Sequence, residues 1–304
     1  MPVPSVALFG VPSSAGAHHA GQDLAPAALR ARGFAERLAA AGLRVDDRGD
    51  IAGEVFAPDP GRPRHRNLDA VLRVARAVAD GVERVVREGS VALVLGGDCT
   101  ITIGAVAGVQ RADPGAGLLY FDGDADLNTP ARTRSGILDS MGVSHLLGVA
   151  DSELARLDGR RPILDDAHLV MLGYDESDPD AFDAGILRER PGLLHFADRE
   201  LRAGPAEAAA AAVAALSPVA GSLVVHFDVD AVNSGDLPLG NFPHYGTGVS
   251  LDAAGEVLRV LCSAPGLAAV VLTEVNPTHD PGGSQLDRYV ETVTGAIAAG
   301  LLRA

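Results

Sequence analysis

The chain has no lysine, and only two of its 304 residues are cysteine, Cys99 and Cys262. Two isolated thiols exclude a disulfide framework and make a reducing, cytoplasmic setting the expected one. With lysine absent, the 25 arginines face 40 acidic residues, for a formal net charge of -15. Such a surface argues against nucleic acid or an anionic membrane as a partner. No apolar run approaches the roughly 18 residues of a membrane span, and no basic-then-apolar segment opens the chain. No stretch reads as a flexible linker or internal repeat, so one domain over residues 1–304 is expected.

What is present is an alternation of short apolar runs and amphipathic stretches, with 47% hydrophobic residues overall. Val6–Gly10, Leu43–Val45, Val91–Leu95, Leu118–Phe121, His168–Leu172, Ser222–Phe227 and Ala268–Thr273 read as strands. Most are unbroken apolar runs, as in a parallel sheet covered on both faces. Helices are expected to start at Ala25 and to span Leu68–Glu88, Ile101–Ala112, Val143–Leu157, Pro205–Leu216, Leu251–Leu261 and Asp287–Gly300. Strand and helix in turn is the grammar of a parallel α/β domain.

The strands end in chemistry. Leu118–Phe121 runs into Asp122, Asp124 and Asp126; Ser222–Phe227 runs into Asp228 and Asp230. Val91–Leu95 leads to Cys99 and Ala268–Thr273 to Glu274. Ligands bind at the carboxyl ends of such strands. Five aspartates and a thiol gathered there would repel one another unless a divalent cation lay between them, and D-x-D pairs on neighbouring strands can bridge two cations. Standing alone, the Asp122–Asp126 triplet reads equally well as a solvated turn; the repetition of the device at Asp228 and Asp230 points to metal.

The motifs Gly96-Gly97-Asp98-Cys99, Asp122 to Pro130, Ser135 to Asp139, Phe227-Asp-Val-Asp230 and Glu274-Val-Asn-Pro277 resemble, in order and over the whole chain, the ureohydrolase family of arginase, agmatinase and formimidoylglutamase. The resemblance implies a three-layer α/β sandwich around a parallel sheet of about eight strands, and a homo-oligomer, trimer or hexamer. It implies a manganese centre of one or two ions, with zinc or iron as alternatives at the Cys99 position. The implied reaction is attack of metal-bound hydroxide on a guanidino carbon, releasing urea or a derivative.

By the same resemblance, Cys99, Asp122, Asp126 and Asp228 would hold the first ion. Asp124, Asp122, Asp228 and Asp230 would hold the second. Glu274 would orient the guanidinium, Asn128 and Ser135 would grip the α-carboxylate of an amino-acid-like substrate, and Asp178 its α-amino group. The bland alternatives are that Asn128 sets the turn before Pro130 and that Asp178 is one acid among several.

Three positions depart from the family pattern. Cys99, Asp124 and Asp139 stand where the resemblance expects histidine. Five aspartates and a thiolate bring six negative charges against the four of two divalent cations, which weakens the cations as Lewis acids. Asp139 would replace the imidazole that shuttles protons near neutral pH. His244, in the loop after the Asp230 strand, is a candidate replacement and His145 a more distant one; His18 and His19 are placed at the mouth. Cys at the first metal parallels a family member acting on hydroxyguanidines. Two readings remain: a hydrolase of a guanidino or hydroxyguanidino substrate, and an inactive relative that binds a ligand or partner. Cys262 reads as a small buried residue on a helix.

Overall fold

The computed structural model describes residues 3–51, 53–177 and 184–303. Eight strands form one sheet: β1 (Ser5–Gly10), β2 (Arg44–Asp50), β3 (Val91–Leu95), β4 (Gly117–Phe121), β5 (Leu169–Leu172), β6 (Leu194–Phe196), β7 (Leu223–Asp228) and β8 (Leu267–Thr273). Their spatial order is β2-β1-β3-β8-β7-β4-β5-β6, and every pairing is parallel. The expected three-layer sandwich is the observed architecture.

Side-chain alternation along the strands assigns the two faces. Leu119 and Phe121 of β4 and Val225 and Phe227 of β7 join one core, with the helices Phe34–Ala40, Pro205–Leu216, Leu251–Leu261 and Ser284–Leu301. Leu118, Tyr120 and Val224 point the other way, into a core shared with Leu68–Arg87 and Ile101–Ala112. A period of two puts successive residues on opposite faces, so each β-strand contributes to both layers.

Three sequence readings change at the periphery. The second strand is longer than Leu43–Val45 and runs to Asp50 through Asp46, Asp47 and Arg48. It is an edge strand, paired only with β1, and its charged side chains keep the open edge from templating another chain. The helix expected over Val143–Leu157 is confined to Gly142–Leu146, and the 3-10 stretch Leu154–Gly159 is separate from it and broken by non-helical backbone at Arg156, Leu157 and Asp158. The chain leaves the helix at Gly148, whose φ of 67 is left-handed. The opposite edge, β6, is three residues long and too short to be seen as an apolar run. Among the described residues no helix is long and apolar enough to cross a membrane.

One close approach carries the sheet into the site. At Gly97, just past β3, an added Cβ would meet the Ser13 carbonyl oxygen at 1.8 Å. The same carbonyl accepts the Asp98 N–H at 3.1 Å, tying the loop after β1 to the turn that presents Cys99. We expect Gly97→Ala to cost roughly 1–3 kcal/mol, the range for forcing backbone apart in a packed interior. Urea unfolding would measure it, and a cost below a few tenths would show that the loop after β1 simply moves aside.

Candidate metal centre

Each strand end builds its turn with the side chain it presents. Asp122 accepts the Asp124 N–H through Oδ1 at 2.7 Å, and Asp228 accepts the Asp230 N–H through Oδ1 at 2.8 Å. Both are aspartate turns in which the carboxylate stands in for a backbone acceptor, with its other oxygen directed elsewhere. The two turns pack face to face, with Gly123 N–H donating to Asp230 Oδ1 at 3.1 Å. Beside them Cys99 is held by its own backbone: its N–H donates to Asp139 Oδ1 at 2.8 Å. Glu274 follows β8 with a φ of 62, a left-handed conformation unusual for a side-chain-bearing residue. Such strain, on the order of 1–3 kcal/mol, persists where surrounding contacts enforce it. Here Gln22 Nε2 donates to Glu274 Oε2 at 2.8 Å, and the Glu274 N–H donates to the Gly97 carbonyl.

The donors fall into overlapping groups. Among the described residues, the ligand-capable atoms of Cys99, Asp122, His226 and Asp228 lie within 4.8 Å of one another, as do those of Asp124, Asp230 and His244, and those of Cys99, Asp139 and Glu274. Cys99 Sγ stands 2.6 Å from Asp228 Oδ2 and 3.8 Å from both Asp122 Oδ2 and His226 Nε2. His226 Nε2 is 3.1 Å from Asp122 Oδ2. His244 Nε2 is 3.3 Å from Asp124 Oδ1.

The electrostatics of this cluster are severe. Burial first, and then repulsion from Asp122, push the Asp126 and Asp228 carboxyls well above the usual range. Burial and Asp228 do the same to Asp230, burial and Asp139 to Glu274, and burial and Asp98 to Asp139. The Cys99 thiol is raised by burial and then by Asp228. His244 goes the other way from an ordinary buried imidazole. Burial lowers it, but Asp124, Asp230 and Asp122 together outweigh that and raise it to about 10. A divalent cation relieves such a conflict, and the donor types present (thiol, imidazole, carboxylate) are those that bind one. Buried, convergent and chemically competent, the residues fit the metal that the sequence implied.

Around the donors lies a cavity of about 80 Å³, lined by Cys99, Asp122, Asp124, Asp126, Asp228 and Asp230 together with His18, Ser135, Asp139, Ser140, Phe242 and Glu274. Its size admits about five to eight waters at 10–15 Å³ each, suiting a small planar head group. Asp126 reaches the cavity from a left-handed φ of 49, with Oδ2 accepting the Tyr120 hydroxyl at 2.5 Å; it is in none of the three donor groups. Asn128 does not line the cavity, and its Oδ1 accepts the neighbouring Thr129 N–H at 2.8 Å. Asp178 lies outside the described residues. His145 is fully buried behind the site, its Nδ1–H donating to the Met141 carbonyl at 2.7 Å, and burial lowers it to about 4. His18 packs edge-on against Phe242 at 4.7 Å, His19 is exposed, and Cys262 is buried.

The arginase family model matches residues 4–303. The chain belongs to the arginase family. Arginase from Brevibacillus brevis is 29% identical over 299 residues, covering 98% of this chain and 96% of that one. Arginase from Bacillus caldovelox is 28% identical, covering 90% and 92%. The crystal structure of arginase from Bacillus cereus superposes with a TM-score of 0.84 at 28% identity, over 98% of both chains. A Burkholderia thailandensis protein described as a hypothetical agmatinase shares the fold at TM-score 0.68 and 20% identity.

Within this arginase-family fold, Gln22 and His226 are among the residues of the site that escaped the sequence reading. Gln22, which holds Glu274, comes from a short 3-10 helix, Gln22–Leu24, some 250 positions away, and nothing local signals it. His226 had a signal. It occupies one of alternating positions, His226, Asp228 and Asp230, along an otherwise apolar strand that leads into the acidic turn.

Proposed function

We propose that this arginase-family hydrolase cleaves a C–N bond of a guanidino or hydroxyguanidino substrate, releasing urea or a urea derivative and an amine. The observation that carries the reading is Glu274. It is 3% exposed and lines the cavity, and its Oε1 has no hydrogen-bond partner among the described residues. A buried carboxylate oxygen left this way costs free energy unless a ligand satisfies it, and a planar cation with N–H donors does so. The acidic lining selects a cation in the same direction.

A divalent cation bound at the strand ends would supply Lewis acidity that helps ionise water at neutral pH. Cys99, Asp122, Asp124, Asp228 and Asp230, with the two histidines beside them, would hold it. The chain's own groups do the rest. Glu274, steadied by Gln22, orients the guanidinium with its carbon towards the strand ends. Asp139, which lines the cavity, would hold or pass a proton as water adds to that carbon and the amine leaves, whereas His244, beside Asp124 in a donor group and not on the cavity lining, would serve the metal. Ser135, which lines the cavity, would contact an amino-acid end on the substrate; the sequence assigned the same role to Asn128, which does not line the cavity, and to Asp178.

Urea and hydroxyurea release from arginine, N-hydroxyarginine and agmatine, with manganese, zinc or cobalt, tests the proposal. We expect Glu274→Gln to weaken binding of guanidino compounds by roughly 1.5–3 kcal/mol, the range for a hydrogen bond to a charged group. Titration calorimetry with a non-hydrolysed arginine analogue reads this directly. Unchanged affinity would remove Glu274 from substrate recognition, and no product with any metal would end the hydrolase reading.

A further inference from the structure

We propose that Cys99, Asp122, His226 and Asp228 form a four-donor pocket for a borderline-soft divalent cation of the zinc class, with β7 supplying the imidazole. This rests on the strand ends being a metal centre, as above, but not on the substrate.

Three observations carry it. The first is distance. Four ligands at zinc bond lengths of about 2.0–2.3 Å lie roughly 3.3–3.8 Å from one another in a tetrahedron. The separations Cys99–His226 and Cys99–Asp122, both 3.8 Å, and His226–Asp122, 3.1 Å, are close to those edges. Cys99–Asp228, at 2.6 Å, must open by about 1 Å, and all four donor atoms already lie within 4.8 Å of one another.

The second is the aim of the ring. His226 is fully buried, with Nε2 towards the thiol and carboxylates and Nδ1 at 2.7 Å from Thr102 Oγ1. Tyr120 stacks on it at 4.1 Å with an interplanar angle of 7°. An imidazole clamped through one nitrogen, with the other facing anionic donors, is how metal-binding histidines are typically held. Thr102 and Tyr120 are then positioning residues, acting through the ring.

The third is donor type. An ion pair between His226 and Asp122 alone would not draw a thiol and a second carboxylate to the same point. Sulfur and imidazole favour zinc, cobalt or iron over manganese, whereas the Asp124, Asp230 and His244 group is richer in oxygen. The two positions therefore differ in the ion they prefer.

Cobalt(II), added to the chelator-stripped full-length chain, is the probe. We expect a near-ultraviolet thiolate-to-cobalt charge-transfer band with intense visible bands of four-coordination. Cys99→Ser should abolish the charge-transfer band. His226→Gln should keep it, weaken the visible bands several-fold and lower cobalt affinity at least tenfold. Thr102→Val should lower affinity with the thiolate band intact, a change that mere loss of packing would not confine to the metal. Should the His226 variant fail to fold, X-ray absorption of the wild-type chain with one equivalent of zinc decides. One sulfur and an imidazole in the shell support the pocket; no sulfur overturns it. A wild-type cobalt spectrum without a thiolate band, or a His226→Gln spectrum and affinity equal to wild type, also overturns it. Urea release on the same samples is scored separately. Its absence beside an intact thiolate–histidine spectrum counts against the hydrolase reading alone, and its presence without that spectrum counts against this pocket alone.

Discussion

Stripped of metal, the protein should lose stability as pH rises from about 5 to 7, while the metal-loaded protein should gain it over the same range. Asp126, Asp139, Asp228, Asp230 and Glu274 all have folded-state pKa values raised above their ordinary 3.8 or 4.5, through burial first and neighbouring carboxylates second. A raised carboxyl stabilises the fold fully below the unfolded pKa, and that contribution disappears as pH climbs through the folded value. Between the two the native state binds more protons than the unfolded chain. Stability then falls by about 1.4 kcal/mol per pH unit for each extra proton retained. His244, raised to about 10, works in the same direction above its ordinary 6.5. His145, lowered to about 4, works in the opposite direction between about 4 and 6.5, one group against five. With metal bound, protons and cations compete for the same atoms, so higher pH strengthens binding and the slope reverses. Denaturant unfolding across this range, with and without chelator, provides the comparison. Parallel slopes would mean that the buried acids are not metal ligands.

Replacing Asp122 with Asn should separate stability from function most sharply. Asp122 stands 3.1 Å from His226 and 3.8 Å from Cys99, and it repels the carboxylates of Asp126, Asp228 and Asp230. Asparagine keeps an oxygen for the Asp124 N–H, so the turn survives. What goes is one negative charge at the centre of the cluster. The metal-free protein should become more stable at neutral pH by on the order of 1–4 kcal/mol, the scale of a unit-charge repulsion at about 4 Å in an effective dielectric of 20 or more. Metal affinity should fall by at least the 10–100-fold seen when even outer-shell partners of a metal are lost, and metal-dependent turnover with it. Thermal melts with chelator and a metal titration measure the two effects on one sample. A metal-free variant less stable than wild type would show Asp122 to be a structural acceptor first.

The interior helices and strands were legible because their signals are local. Ile101–Ala112, Pro205–Leu216 and Leu251–Leu261 fall where apolar spacing and Pro at a helix start put them. The misreadings are at places where local pattern and tertiary role part. β2 carries charge because an edge strand buries only one side of its ladder, and Gly148 ends a helix that apolar spacing alone would extend. The site shows the same division. Cys99, Asp122, Asp228 and Glu274 were found because each follows an apolar strand in sequence.

The charge count drawn from the sequence omitted His226 and treated His244 as a replacement proton shuttle and not as a neighbour of the acids. In the fold both rings stand against the acids, His226 beside Asp122 and His244 beside Asp124. From the sequence alone came the parallel α/β architecture and the acidic strand ends, because hydrophobic periodicity and motif order are properties of neighbouring residues. Only the tertiary structure decided which imidazoles reach which carboxylates, that Gln22 holds Glu274, and that Tyr120 takes up an oxygen of Asp126. Those contacts join segments up to about 250 residues apart, and their distances depend on how β4, β7 and β8 lie side by side in the sheet.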